Sequence, residues 1–330
     1  MATSIRPPRT GLDPVLALIL QRIGIGFGLI LAISALLFLG IEALPGDFAR
    51  NFLGQSATPQ AVANIRAELG LDEPAILRYF EWLGGVLTGD FGTSWANGSS
   101  VNEQLGKRLA NTLFLAAVAA VVAVPLSIGL GMLAVFFRDR LPDRLINIVS
   151  LIAISMPEFF VGYLLIFFFA LQLGIGDGPP IIPSPGASLW ENVQLVFLPA
   201  MTLVVVVLAH MMRMTRASIL NIMQSAYVET AELKGLSPLR IIWKHAAPNA
   251  IAPIINVVAL NLAYLVVGVV VVEVIFAYPG MGQYFVDAVT VRDMPVVQAC
   301  GIVFAGVYIV LNMLADVGAI LANPRLRHPK

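Results

Sequence analysis

Charge is what this chain of 330 residues has least of: Asp, Glu, Lys and Arg make up 12% of it, and hydrophobic residues 58%. Soluble domains carry charge at about a quarter of positions, so a water-soluble fold would lack polar cover here. Cysteine is nearly absent: Cys300 alone excludes an internal disulfide. Only three histidines occur, His210, His245 and His328, and none is paired at metal-ligand spacing, so no bound metal is expected. The phosphate-binding pattern G-x-x-x-x-G-K-[ST] is missing too. Gly106-Lys107 lacks both the upstream glycine and the following Ser or Thr, so the chain has no such site for ATP. No serine or cysteine stands in a recognisable activating motif, which argues against an enzyme. Energy for any work must come from a partner or from a gradient. Membrane lipid is the one partner that composition demands, and no nucleic acid is expected.

What the chain does have is six long windows nearly free of charge, at residues 23–41, 109–137, 145–176, 192–212, 246–277 and 294–323. Each matches the roughly 20 residues that a helix needs to cross the hydrocarbon. Lipid offers no partner to a free backbone amide, and the runs are too long for barrel strands, so these must be helices. The fold class is therefore an all-α polytopic membrane protein with six transmembrane helices. The first window follows Arg6, Arg9 and Arg22, as a secretory signal would. It is too long for one, shows no small-x-small cleavage site, and is read as a retained span. Placing the N-terminus inside puts fourteen of the twenty Lys and Arg on the inner face, and both termini are expected to be cytoplasmic. The expected divisions are an N-terminal segment 1–22, a membrane domain 23–320 and a tail 321–330.

Two connections exceed simple turns. The outer one, 44–107, is expected to hold helices of its own: Thr58 can cap, Pro59 suits a first turn, and residues 61–69 form a helix that ends at Gly70. A second helix starts after Asp72 and Pro74 and carries Tyr79 and Trp82. Residues 89–92 and 97–100 read as turns. Tyr79, Trp82 and Trp95 suit either the headgroup region or a contact with a partner. The inner connection, 213–249, holds the charged run YVETAELKGLSPLRIIWKHAAPN from Tyr227. Residues 227–233 can form two helical turns, Gly235 a left-handed stop, Ser237 a cap with Pro238 behind it, and residues 239–246 a second helix before Pro248. Such a knob fits a groove on a soluble partner, with Glu229 and Lys234 at its rim and Tyr227, Leu233, Ile241 and Trp243 giving apolar contact. The same composition suits an amphipathic linker resting on headgroups.

The run Glu229-Thr230-Ala231, then Gly235 after three residues, then His245-Ala246-Ala247-Pro248 after nine resembles the EAA loop of ABC importer permeases, E-A-A-x3-G-x9-I-x-L-P. Glu229, Ala231, Gly235 and Pro248 match its offsets, whereas Thr230, His245 and Ala247 depart from it. The longer wording, with Tyr227, Lys234-Gly235-Leu236-Ser237 and Asn249-Ala250, is similar to the dipeptide, oligopeptide and nickel permease family. So are Leu44-Pro45-Gly46-Asp47, Leu69-Gly70-Leu71-Asp72, Gly89-Asp90-Phe91-Gly92, Val272-Glu273-Val274-Ile275-Phe276, Pro279-Gly280-Met281-Gly282, Arg292-Asp293-Met294-Pro295 and Asn323-Pro324-Arg325. The resemblance covers nearly the whole chain. It implies the type I importer permease fold in its first, B-type subunit, paired with a homologous second permease, two ATPases and an external solute-binding protein. On that resemblance ATP and Mg belong to the partner ATPases, and no cofactor to this chain. The loop residues Tyr227, Glu229, Thr230, Ala231, Lys234, Gly235, His245, Pro248 and Asn249 would couple to the ATPases.

Three acids fall inside the windows, Glu158, Glu273 and Asp316, and a charge at that depth is a pathway or packing candidate. The resemblance gives Glu273 and Asp316 structural roles near span ends. Glu158, after Pro157 near the middle of the third window, fits either a structural acid or a ligand for a peptide amine. Gly24 and Gly28 form a G-x-x-x-G spacing on the first span that permits close helix contact. The expected function is half of an import pathway for short peptides or a related solute in a bacterial inner membrane. The alternatives are a gradient-driven secondary transporter, which should show the internal repeats that this sequence lacks, and a non-transporting scaffold, which would not need intramembrane acids.

Overall fold

A computed structural model describes residues 14–43, 46–174 and 188–322, with side chains from 19 to 318. Arg6 and Arg9, residues 44 and 45, residues 175–187 and the word that begins at Asn323 lie outside the described residues. All regular elements among those described are helical. Five helices are long and apolar enough to cross a membrane, within Ile19–Glu42, Val101–Phe136, Phe197–Met223, Pro238–Ile275 and Met294–Gly318. A bent pair, Leu141–Ser155 with Glu158–Gln172, makes a sixth crossing if counted as one span. The third window is thus not the single straight helix that its hydropathy suggests. Pro157 cannot donate to the helix ladder and pushes Met156 to extended backbone, and the chain turns by 102° there.

In chain order the helices are α1 (Pro14–Glu42), α2 (Phe48–Leu53), α3 (Pro59–Glu68), α4 (Ala75–Leu87), α5 (Val101–Phe136), α6 (Leu141–Ser155), α7 (Glu158–Leu165), α8 (Leu189–Leu195), α9 (Phe197–Met223), α10 (Ala226–Leu233), α11 (Pro238–Ile241), α12 (Ala247–Val267), α13 (Val270–Ile275), α14 (Met281–Val291) and α15 (Met294–Ala322). The core is built where α5 crosses α9 and extends to α12 and α13. Leu115, Ala119 and Ala123 meet Leu203, Val207, Leu265 and Phe276, all buried. Small residues every three or four positions along α5, namely Ala116, Ala119, Ala123, Ser127 and Gly131, let the backbones approach. A Cβ on Gly131 would lie 2.9 Å from Thr215 Cγ2. Within this chain the spacing noticed on the first span makes no such contact: nothing lies within 4 Å of where Cβ atoms of Gly24 and Gly28 would stand. α1 and α15 approach closely instead at Gly26, whose Cβ would sit 2.7 Å from Ile309, and at Gly301, whose Cβ would collide with Leu37.

The outer connection forms the expected helices. The Thr58 hydroxyl accepts from the Ala61 amide at 3.2 Å, Pro59 opens α3, and Gly70 is left-handed. Gly89, Gly92 and Gly98 also take positive φ in the expected turns, and Thr93 bridges to Ser100. Ser100 caps α5, which begins at Val101 and so reaches farther out than the apolar window at 109. Tyr79 and Trp95 are half-buried and pack partly within the chain. Tyr79 shares a 2.8 Å hydrogen bond with buried Ser34 of α1, and Trp95 stacks edge-on against Phe48 with centroids 5.2 Å apart.

Candidate functional site

All nine loop residues fall in one knob at the foot of α12. α10 ends in a Schellman turn: the Gly235 amide donates to the Glu232 carbonyl at 2.8 Å and the Leu236 amide to Ala231 at 3.2 Å. That closure needs the φ of +74° that Gly235 adopts. Ser237 has the extended backbone of a cap, but its side chain makes no capping bond. The second helix is shorter than expected, because after α11 the chain widens into a π turn, Ile242–Ala246, that runs directly into α12. Pro248 explains the widening: it has no amide to donate, and its ring crowds the Lys244 carbonyl one turn back. The neighbouring His245 carbonyl accepts from Asn249 Nδ2 at 2.7 Å and from the Tyr227 hydroxyl at 3.5 Å, which pins α10 to the foot of α12.

The knob has its own small core, Val228, Ala231 and Ile241, with Met223 and Leu236 against it. Ile241 is therefore not one of the apolar contacts offered outward; it is buried at 1% exposure because it holds α11 against α10. Leu233 is 82% exposed, and Tyr227, Leu239, Trp243, Glu229, Thr230 and Lys234 are exposed as well. Close by, Arg216 of α9 makes a two-pronged ion pair with buried Asp143 of α6, at 2.9 and 2.8 Å. Asp143 also accepts from the Asp139 amide and from Asn147, so α6 is locked to the helix that carries the knob.

The three acids of the spans lie in three different settings rather than one site. Glu273 is fully buried: Oε1 accepts from Thr112 at 2.6 Å, and Oε2 from the amides of Gly282 at 2.7 Å and Gln283 at 3.1 Å. It caps α14 and ties it to α5, while Thr112 in turn accepts from the Met281 amide. A Cβ on Gly280 would collide with this carboxylate, which is why glycine precedes α14. Asp316 pairs with Arg22 at 2.9 Å across α15 and α1. Glu158 starts α7; Oε2 accepts from the Tyr264 hydroxyl at 3.2 Å, and Oε1 is buried with no hydrogen-bond partner among the described residues.

A further site, where the 44–107 connection meets α15, was not singled out from sequence. Asp293, buried to 2%, accepts from the Ser94 hydroxyl at 2.5 Å and the amides of Trp95 and Ala96 at 3.1 and 3.2 Å, fastening the outer connection to the start of α15. Its presence in the word Arg292-Asp293-Met294-Pro295 was the available signal. Asp47 is held by Arg66 and caps α2. Burial works to raise its carboxyl, but hydrogen bonds from Arg66 and from the Arg50 and Ala49 amides outweigh it and hold the carboxyl below its ordinary value.

The bundle thus carries an exposed knob between its fourth and fifth crossings. The chain belongs to the family "Binding-protein-dependent transport system inner membrane component", which matches residues 123–328, and its companion N-terminal family matches residues 15–116. It is 36% identical over 313 residues to the "Probable peptide ABC transporter permease protein y4tP" of Sinorhizobium fredii, covering 94% of this chain and 99% of that one. It is also 36% identical over 296 residues to the "Glutathione transport system permease protein GsiC" of Escherichia coli K12, covering 90% and 94%. Its fold is like that of a chain in "Inward facing conformations of the MetNI methionine ABC transporter", with a TM-score of 0.52, 18% identity, and 66% and 96% coverage. The protein is thus an ABC importer permease subunit with the type I fold, a multi-pass inner-membrane protein that works with ATPases and a solute-binding protein.

Proposed function

We propose that this subunit forms half of an import pathway for short peptides, with a homologous second permease as the other half and two ATPases inside. In this reading both termini are cytoplasmic, ATP and Mg are bound by the ATPases, and an external binding protein delivers the peptide. The names of the relatives support a peptide-like solute. One observation carries the coupling role: the knob presents Leu233, Tyr227 and Trp243 to solvent while resting on its own core, and it is continuous with a membrane helix. A partner that grips the knob can therefore move α12 as a lever, because a helix transmits displacement along its length. ATP-driven closure of the ATPases would switch the pathway between outer and inner access.

The energy source separates this reading from a gradient-driven carrier. Cells carrying the complete system should import a defined mixture of di- and tripeptides after an ionophore collapses the ion gradients, and should stop when ATP is depleted. Uptake that follows the gradient and ignores ATP would refute it.

A further inference from the structure

We propose that Glu158 and Tyr264 form a cation subsite on the pathway that takes the amino-terminal ammonium of a peptide in transit. The proposal rests on the peptide reading above. Its ground is a contrast among the acids of this chain. Glu273 receives three donors from its own chain, Asp293 three, Asp143 a guanidinium, a backbone amide and the Asn147 side-chain amide, and Asp316 a guanidinium. Glu158 receives one, the Tyr264 hydroxyl, and its other oxygen is buried without a partner among the described residues. A carboxylate accepts at about four lone-pair sites, so most of its capacity is unfilled.

The position of the carboxylate says what should fill it. Glu158 stands in an apolar run with the nearest following charge at Asp177, and a charge at that depth persists where it faces a partner, a cation or a wet cavity. The 102° turn at Pro157 takes it off a straight helix and sets it at the start of α7. Phe159, Phe160 and Tyr163, which follow it on α7, and its partner Tyr264 keep large exposed surfaces. An ammonium can donate a charge-assisted hydrogen bond to the open carboxylate oxygen.

Tyr264 links this subsite to the knob. It lies on α12, within the helical stretch Pro238–Ile275 that begins in the knob. A shift of α12 would change the spacing between Tyr264 and Glu158, so the grip on an ammonium would differ between the outward and inward states. Selection is left to the external binding protein, and the subsite sets transit rate.

The test uses the complete complex in proteoliposomes, with loaded binding protein outside, and a defined mixture of di- and tripeptides with free amino termini as probe. Glu158→Gln keeps shape and hydrogen bonding but removes the charge, while Glu158→Asp keeps the charge. Transport by the Gln variant should fall roughly tenfold, the loss of one charge-assisted hydrogen bond, and the Asp variant should retain most of the parent rate. Co-purification of the second permease should be unchanged in both. Gln equal to or better than Asp would make Glu158 a hydrogen-bonding strut and overturn the proposal. Loss of the second permease from the Gln complex would also overturn it, because the missing cation would then be a basic side chain of that subunit. A parent complex that carries none of the peptides sinks the peptide reading itself, which the Asp-to-Gln comparison does not touch.

Discussion

At the scale of single residues, the load falls on a few acids whose partners are far away in sequence. Glu273 receives Thr112 from 161 residues before it, and Asp293 receives Ser94 from 199 before it. Replacing Glu273 with Leu leaves the Gly282 and Gln283 amides and the Thr112 hydroxyl to bury unpaired. Each unpaired group costs about 1–3 kcal/mol, so a clear drop in the melting temperature of the detergent-purified protein is expected, larger than for Glu273→Gln. Arg216→Met should cost roughly 2–3 kcal/mol, because it strands the buried Asp143 carboxylate, and the double variant with Asp143→Leu should recover part of that. Asp47 gives a pH test. Its carboxyl is held below the ordinary value, so its contribution is present above about pH 4 and is lost as pH falls through the lower folded value. Asp47→Asn should flatten the acid limb of a stability profile. None of these pairings was legible in the sequence. Composition marks Asp143 and Arg216 only as inner-face charges, and nothing local says that a residue of α6 meets one of α9.

At the scale of elements, local signals carried far where backbone chemistry is local. Gly235 after two helical turns, Thr58 before Pro59, and the glycine-rich outer turns each took the expected conformation. Two elements were misread for physical reasons. Hydropathy averages over Pro157 and so joined α6 to α7 across their bend. The window rule also ended the second crossing at residue 109, although a capped helix continues to Val101 through charged residues that face water. Close helix packing was read from Gly24 and Gly28, while the contact surface is the stripe of small residues on α5, which includes alanine and serine and so escapes a glycine pattern. Gly235→Val tests the knob as an element. Nothing stands within 4 Å of a Cβ there, so the cost is backbone strain alone, about 1–2 kcal/mol at a φ of +74°. The variant should insert and assemble, yet lose most substrate-stimulated ATP hydrolysis. Normal coupled turnover would count against a coupling role for the turn.

At the scale of the whole molecule, the fold is a bundle fastened at both ends. Asp293 and Glu273 tie the 46–100 connection and α14 to the spans, Arg216–Asp143 ties α9 to α6, and α12 runs from the knob into the bundle. The account requires the knob inside and the Asp47-to-Ser100 connection outside. In intact spheroplasts, a cysteine at exposed Gln55 should react with an impermeant thiol reagent and one at exposed Ser237 should not; native Cys300 is buried and gives a low background. The central claim is that the knob seats in a partner ATPase, and cross-linking from its most exposed apolar residue tests it most directly. A photoreactive amino acid at Leu233, 82% exposed in the isolated subunit, should form one dominant cross-link to the ATPase in membranes holding the complete system, with a yield that changes when ATP is trapped by vanadate. Cross-links confined to lipid, with no ATPase adduct in any nucleotide state, would contradict the account and leave the knob as a linker on the membrane surface.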